Sequence, residues 1–254
     1  MLNQDEMVQL RELGRQAYEA GEFANARELV DECLQTSAED GRCLELLGLI
    51  QYTTGAYTES VASLESASLH VPLRMAARVC LAHGYGRIGR NQLSGDLLAD
   101  LVDTEDLPVP LLLQVAIGLD DLGRPDLAVQ ACRVAGQRNP NYAQTWYDMG
   151  YYIGRAGGSE VHVEGLARRA IEIEPYNTRY RVGLAGLLVK RARSDEAYEL
   201  IQRLDKTAIE SISCVCCLRR VVELYSRARD YRRVVIARTH LVLIEGRSDV
   251  NHNC

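Results

Sequence analysis

Glycine recurs at a fixed interval in this sequence, and that periodicity limits the possible folds more than any other feature. Five glycines follow one another at intervals of 34 residues: Gly21, Gly55, Gly89, Gly123 and Gly157. A second column at the same interval holds Leu13, Leu47, Leu81, Val115 and Met149, and a small residue directly follows each of them. Because periods of about 20–50 residues are typical of repeat architectures, the chain is predicted to fold as stacked copies of one small motif.

Each period is predicted to be a pair of helices. In the first period, a stripe at spacings of three and four residues is formed by Leu10, Leu13, Gly14 and Ala17. Gly21 is suited to the left-handed conformation that ends a helix. A second stripe at helical spacing then follows at Phe23, Ala26, Val30, Cys33 and Leu34. The small columns allow the two helices of a pair to approach closely.

These features together resemble the tetratricopeptide repeat (TPR) family. The residues that carry the resemblance are Leu-Gly at 13–14 and 47–48, the glycine between the helices, Phe23, Tyr57, Pro140 and Pro175. The resemblance extends over about residues 7–248. It implies an all-α fold: a right-handed superhelical solenoid of antiparallel helix pairs, with six or seven repeats in a single domain, 1–254.

The repeats are predicted at 7–40, 41–74, 75–108, 109–142, 143–177, 178–211 and 215–248. The fifth repeat has one extra residue near Gly157, and the sixth has lost the turn glycine. The seventh is a degenerate capping repeat that follows about three inserted residues. A lone capping helix at this end is the alternative.

The first helix of each repeat carries a second stripe of residues, on another face from the one that packs against the second helix, and this stripe predicts the functional surface. In TPR proteins this stripe lines a concave groove that receives a peptide, so the resemblance implies a partner-binding groove. The groove is predicted to be apolar and rich in tyrosine, and its residues are Leu49, Val79, His83, Arg87, Leu113, Ile117, Tyr147, Tyr151 and Arg155. Tyrosine is a frequent interface anchor. The alternative is that neighbouring helices, or a second copy of the chain, bury these residues.

Two motifs suggest chemistry, but other interpretations are favoured. Residues 84–89 match the G-x-G-x-x-G pattern of dinucleotide sites, yet the residues before them have a helical pattern where such a site needs a strand. Three cysteines lie close together in the sequence, at positions 214, 216 and 217. Zinc sites, however, usually take their four ligands from two separated pairs of residues. The sequence therefore predicts no enzyme, cofactor or metal site, with chemistry at residues 214–217 as the least favoured alternative.

Charge and hydropathy predict the compartment and the class of partner. The net charge of −6 argues against nucleic acid. The longest uncharged runs have 13 residues, too few to cross a bilayer, and the first ten residues lack a secretory pattern. We therefore expect a cytoplasmic protein, with its eight cysteines as reduced thiols.

The two ends of the sequence differ in charge. Residues 1–40 have a net charge of −7 and residues 214–254 one of +4. Ordinary solvated helix faces explain this difference, and association between opposite ends of two copies is the alternative. The sequence thus predicts a non-catalytic adaptor or chaperone-like module that binds a protein or peptide, with a self-associating scaffold as the second hypothesis.

Overall fold

The computed structural model describes residues 4–246, and its helices belong to two compact units, residues 1–138 and 139–254. We call these the N-terminal unit and the C-terminal unit. Residues 1–3 and 247–254 lie outside the described residues, and with them the ends of the predicted domain and the last two residues of the seventh predicted repeat. The single-domain organisation over 1–254 stays a prediction.

The N-terminal unit contains eight helices among its described residues. They are α1 (Gln4–Glu19), α2 (Phe23–Thr36), α3 (Gly41–Thr53), α4 (Tyr57–His70), α5 (Met75–Arg87), α6 (Asn91–Val102), α7 (Val109–Asp121) and α8 (Pro125–Arg138). Consecutive helices pack in pairs, α1 with α2 through α7 with α8, and each pair packs on the next.

The C-terminal unit contains seven helices among its described residues. They are α9 (Ala143–Arg155), α10 (Glu160–Ile173), α11 (Thr178–Lys190), α12 (Ser194–Ile201), α13 (Lys206–Glu210), α14 (Val215–Arg227) and α15 (Tyr231–Glu245). The helix pairs here are α9 with α10, α11 with α12, and α14 with α15. The prediction of repeated helix pairs is thus confirmed, and the last repeat contains a pair rather than a lone helix.

The predicted turn glycines all adopt the left-handed conformation. Their φ angles lie between 72° and 86° at Gly21, Gly55, Gly89, Gly123 and Gly157. In the sixth and seventh repeats, Ala192 and Arg229 stand at the same place with φ of 58°. An L-residue with a Cβ is strained in this region, so these two turns keep the geometry of the others at an energetic cost.

The small residue columns are explained by the close approach of helices. A methyl group on Gly48 in α3 would lie 2.5 Å from Cγ of Leu64, a fully buried side chain of α4. One member of the neighbouring column behaves differently, since Leu13 is 43% exposed whereas Leu47 and Val115 are buried. Leu13 belongs to the first described helix, so no described helix precedes it to cover this face.

The second helix of the sixth repeat ends early, at Ile201, and the short helix α13 follows. Side chains from later helices bind the carbonyl groups at this break: the Tyr225 hydroxyl donates to Ile201 O at 2.9 Å, and Arg233 Nε donates to Leu204 O at 2.9 Å. Asp205 then caps α13 by accepting the backbone N–H of Ala208. These tertiary contacts stabilise an interruption that the repeat pattern alone did not predict.

The expectation that every cysteine is a reduced thiol is wrong for Cys33, Cys43 and Cys216, whose sulfur atoms belong to disulfides. Cys33 in the last turn of α2 and Cys43 in the first turn of α3 form a disulfide, and both residues are fully buried. The short loop between α2 and α3 turns the chain back, which brings the two sulfur atoms together. The bond therefore links the first predicted repeat to the second.

The helices show the structural context of residues 84–89, which match the dinucleotide-binding pattern. The residues that match G-x-G-x-x-G begin inside α5 and end at the turn glycine Gly89, so a helix and not a strand precedes them. The arrangement required for a dinucleotide site is therefore absent from this segment.

Among the helices of residues 4–246, none is both long enough and apolar enough to span a membrane.

Candidate partner-binding surfaces

In the C-terminal unit, the predicted stripe begins with two tyrosines of α9 that are four residues apart. Tyr151 is 50% exposed, while Tyr147 is only partly accessible. Residues four apart on a helix lie on one face, so the two rings form a short ridge along α9. We call Tyr147, Tyr151 and Arg155 the tyrosine ridge.

The Tyr147 end of the ridge packs against α11. The ring centroids of Tyr147 and Tyr180 lie 4.8 Å apart, and the Arg179 guanidinium lies 5.2 Å from the Tyr147 centroid. The hydroxyl donates to Arg179 O at 3.4 Å. Burial raises the pKa of Tyr147, the charge on Arg179 opposes this, and the thiols of Cys217 and Cys214 add to the increase. Tyr147 is therefore mainly a packing residue that stays partly accessible.

The Tyr151 end of the ridge is open to solvent. The Arg155 guanidinium lies 5.9 Å from the Tyr151 ring centroid, and its Nη1 donates to the Tyr151 hydroxyl at 3.4 Å. The Tyr152 ring, which is buried, meets Tyr151 edge-on at a centroid distance of 5.4 Å. This arrangement holds the exposed aromatic ring in place and puts a positive charge beside it.

The buried carboxylate of Asp148 stabilises the tyrosine ridge through its contact with Arg179. Asp148 is 6% exposed and accepts hydrogen bonds from Gln144 Nε2 at 3.1 Å and from Arg179 Nη2 at 3.3 Å. Burial raises the pKa of Asp148, while Arg179 and Gln144 oppose that effect. Because Arg179 also stacks on Tyr147, Asp148 helps to fix the guanidinium that covers one side of the ridge.

In the N-terminal unit, two predicted residues line a recess of about 340 Å³ among α5, α6 and α7. We call it the His83 recess, and its lining consists of His83, Gly86, Arg87, Asn91, Ser94, Gly118, Asp121 and Leu122. Cationic, anionic and amide side chains meet there beside two glycines. Such a mixed lining suits a polar segment of a partner more than a purely apolar one.

His83 is fixed against α7. Its Nε2 lies 3.0 Å from Gln114 O, and a methyl group on Gly118 would lie 2.8 Å from His83 Cε1. Since the carbonyl can only accept, the imidazole donates from Nε2. Burial lowers the pKa of His83, although the hydrogen bond to Gln114 and the charge on Asp121 oppose this. The recess therefore contains an imidazole that favours its neutral form.

Arg87 provides an exposed positive charge at the recess. Its guanidinium lies 5.8 Å from the Tyr57 ring centroid, which is a cation–π distance. Asp121 lies across the lining on α7. Because the recess contains both a positive and a negative side chain, it can bind the polar backbone of a peptide together with either an acidic or a basic side chain.

Four other residues of the predicted groove differ in accessibility. Val79 and Leu113 are each 3% exposed, so the expectation of an exposed stripe is wrong at these two positions. Packing between neighbouring helices covers them, as the alternative to a groove suggested. Leu49 is partly buried against a core cluster, and Ile117 is 37% exposed. The binding role of the predicted residues that remain accessible stays a prediction.

Glu45 lies on the same stripe in the second repeat and is a structural residue. It is 3% exposed, its Oε1 accepts the Arg74 backbone N–H at 2.6 Å, and its Oε2 accepts Arg42 Nη1 at 2.8 Å. Arg74 is the N-cap residue of α5. Glu45 therefore joins α3 to the start of the next repeat.

Asp121 is a member of the recess that the sequence analysis missed, although a signal was present. It lies 34 residues after Arg87 and 34 before Arg155. The stripe therefore carries an acidic residue in the fourth repeat between two basic ones. Asn91 and Ser94 had no comparable signal, because they belong to the second helix of their repeat.

Comparison with known proteins gives the fold. The sequence matches no known family profile and no curated protein. A tetratricopeptide repeat protein from Parabacteroides merdae shares 15% identity at a TM-score of 0.66, over 96% of this chain and 94% of that one.

Two shorter solved structures agree. YrrB, described as a TPR protein with an unusual peptide-binding site, has 16% identity and a TM-score of 0.56 over 70% of this chain and 91% of its own. MamA has 17% identity and a TM-score of 0.55 over 66% of this chain and 97% of its own. The chain therefore has the fold of the tetratricopeptide repeat proteins.

Proposed function

We propose that this chain is a non-catalytic protein–protein interaction module that binds a peptide segment of a partner protein. The observation that carries the proposal is Tyr151, which is 50% exposed and supported by Arg155 and by the buried Tyr152 ring. Exposed aromatic residues held in place by their neighbours are typical anchors of protein interfaces. A partner that covers Tyr151 gains apolar burial without first ordering the ring.

The His83 recess is the second element of the proposal. Its neutral imidazole, Arg87 and Asp121 can bind polar groups of an extended segment, while the tyrosine ridge takes an apolar side chain. Each surface lies on its own unit and is proposed as a separate contact. The peptide-binding site named for YrrB supports the same class of partner, since that protein shares the fold. The activity proposed is that of an adaptor or chaperone without a cofactor.

Site-specific photo-crosslinking tests the proposal and does not require the partner to be identified beforehand. Tyr151→benzoylphenylalanine places the reactive group on the ridge, and Tyr176→benzoylphenylalanine is the matched control, because Tyr176 is 91% exposed and lies outside the ridge. The protein is expressed in its own host and irradiated there. We expect a cross-linked protein from position 151 that is absent from position 176.

Substitution of the same residues then measures their contribution. Tyr151→Ala or Arg155→Ala is expected to weaken retention of the cross-linked partner by about tenfold or more, and Tyr176→Ala to leave it unchanged. Equal retention by all three variants would count against the ridge. Loss with Arg87→Ala as well would indicate that the His83 recess is a separate second contact with the partner.

Self-association remains the second candidate, and one observation favours it. Helix α15 exposes four apolar side chains, at 60–70% each: Tyr231, Val235, Val242 and Leu243. Exposed apolar side chains that cluster on one helix can mark a contact with another protein chain. Multi-angle light scattering at low and high salt tests this: a constant monomer mass would remove the scaffold hypothesis.

The proposed location is the cytoplasm, as the sequence predicts. The Cys33–Cys43 disulfide bears on this point, because structural disulfides are more common in oxidising compartments. Fractionation of the host with an antibody against the chain decides the matter. The net charge of −6 supports a protein partner over a nucleic acid.

A further inference from the structure

Three cysteines lie together where α14 begins. The sulfur atoms of Cys214, Cys216 and Cys217 are all within 4.8 Å of one another. Cys214 is the N-cap residue, and its Sγ accepts the Cys217 backbone N–H at 3.3 Å. The proposed partner-binding surfaces do not use this cluster.

The three sulfurs differ in chemical state. Cys214 and Cys217 carry thiol groups, whereas the sulfur of Cys216 belongs to a disulfide. Cys214 and Cys217 are separated by two residues, and the hydrogen bond from the Cys217 backbone N–H to Cys214 Sγ keeps their sulfur atoms within 4.8 Å of each other. Both side chains are partly accessible to solvent. The geometry is therefore that of a C-x-x-C dithiol at the start of a helix.

The surroundings give the two thiols different properties. Cys214 is the N-cap residue of α14, and its Sγ accepts the backbone N–H of Cys217. Cys217 packs against the core of the C-terminal unit. Burial raises the pKa of Cys217 to about 11, and the hydrogen bond with Cys214 adds to this. Cys217 is thus protonated at neutral pH and acts second, which leaves the first attack to Cys214.

We propose that Cys214 and Cys217 form a redox-active dithiol that exchanges with small-molecule disulfides such as oxidised glutathione. The Cys214 thiolate attacks one sulfur of the disulfide, whose S–S bond breaks, and one thiol is released. Cys217 then loses its proton and attacks Cys214 Sγ in the mixed disulfide, which releases the second thiol. The dithiol is oxidised by two electrons to a Cys214–Cys217 disulfide, and one small disulfide is reduced to two thiols.

The experiment exposes the full-length protein to oxidised glutathione and follows protein thiols and bound glutathione by mass spectrometry. Wild-type protein is expected to lose two thiols, keep no glutathione and release two glutathione thiols per chain. Cys217→Ser is expected to stop at the first step and retain one glutathione on Cys214. Cys214→Ser is expected not to react at residues 214–217.

Cys80→Ser is the matched control, because burial raises the pKa of the Cys80 thiol to about 11 and Cys80 lies in the other unit. It is expected to behave as wild type. A wild-type protein that keeps both thiols would overturn the proposal, as would a Cys214→Ser variant that takes up glutathione on Cys217 as readily as the Cys217→Ser variant does on Cys214.

An arsenical provides a second readout that needs no oxidant. Phenylarsine oxide bridges two neighbouring thiols, so wild-type protein is expected to bind one equivalent at residues 214–217. Either single serine variant is expected to weaken this binding by at least about tenfold. Equal binding by the wild type and both variants would contradict a paired dithiol, and circular dichroism of each variant confirms that the helices are intact.

Discussion

Gly183 in α11 leaves the space that the Tyr147 ring of α9 occupies. A methyl group added at Gly183 would lie 1.9 Å from the Tyr147 hydroxyl oxygen and 2.8 Å from its Cζ atom. Real Cβ atoms do not approach other atoms so closely, hence one of the two groups must move. Tyr147 is the group at the end of a flexible side chain, so the size of residue 183 determines where this ring lies.

Gly183→Ala is therefore expected to push the Tyr147 ring away from α11. The hydroxyl loses its contact with Arg179 O, and the ring becomes more exposed. Nitration by tetranitromethane, followed by peptide mass spectrometry, is expected to modify Tyr147 faster in the variant, with Tyr151 as the internal reference.

Gly165→Ala is the matched control for that substitution. Gly165 lies in α10, and nothing is within 4 Å of a methyl group placed on it. Gly165→Ala is expected to raise the free energy of unfolding by about 0.5–1 kcal/mol, because alanine has the higher helix propensity, and to leave the nitration rate of Tyr147 unchanged. If both variants nitrate Tyr147 at the wild-type rate, the ring is not held by the space at Gly183.

The turn between α11 and α12 should become more stable when Ala192 is replaced by glycine. Ala192 has φ of 58°, where glycine avoids the strain of a Cβ. Ala192→Gly is expected to raise the free energy of unfolding by about 0.5–1 kcal/mol, after allowance for the greater freedom of glycine in the unfolded chain. Chemical denaturation measures the difference.

The reciprocal change provides the check. Gly123 occupies the same place in the fourth repeat with φ of 72° and open space around it. Gly123→Ala is expected to lower the free energy of unfolding by about 1 kcal/mol through backbone strain alone. Equal effects of the two substitutions, in the same direction, would show that the turn conformation does not control stability here.

These turns also show how much the sequence can predict. The five glycines identified the repeat, the turns and the helix pairs, because a left-handed residue has a strong preference for glycine. The same turn at Ala192 and Arg229 had no such signal. Those residues adopt it only because the helices on both sides pack as a pair, which is a tertiary effect.

The accessibility of the candidate surfaces was less predictable, because helical spacing places a residue on a face but does not say what covers it. Val79 and Tyr151 lie on the same stripe, yet one is 3% and the other 50% exposed. The Cys33–Cys43 bond and the contact of Tyr225 with Ile201 O also join residues that no periodicity relates. Local patterns predicted the helices, while long-range packing determined the surfaces.

Glu164 organises the turn between α11 and α12. It is 8% exposed, and its carboxylate accepts hydrogen bonds from Arg168 Nη2 at 2.7 Å, from Arg193 Nη1 at 2.7 Å and from Arg191. Burial raises the pKa of Glu164, but the hydrogen bonds from Arg168 and Arg193 outweigh it, so the net pKa is lowered.

Glu164→Gln is therefore expected to lower the free energy of unfolding by about 1–2 kcal/mol, because three guanidinium groups lose a charged acceptor, although Arg168 and Arg193 keep their contact with Glu196. Glu172→Gln is the control, since its pair with Arg169 is exposed, and it should leave the denaturation midpoint unchanged. Similar loss in both variants would mean that general surface charge, and not this cluster, stabilises the unit.

His83 should make stability fall in mild acid. Burial, aided by the charge on Arg87, lowers the pKa of His83 in the folded protein below its ordinary value of 6.5. Between the two pKa values the unfolded chain binds more protons than the folded one. The stability that neutral His83 contributes is therefore fully present above the pKa of His83 in the unfolded chain, and it is lost as the pH falls from that value to the lower pKa of the folded protein.

His83→Gln removes the titration and keeps an N–H that can donate to Gln114 O. The measurement is urea denaturation of both proteins at about pH 7.5 and about pH 5.5, on either side of the unfolded pKa. The wild type is expected to lose more stability between these pH values than the variant, because only its imidazole must be protonated against burial. An equal loss in both proteins would show that carboxylates elsewhere cause the acid sensitivity, and that the imidazole in the recess can take up a proton without cost.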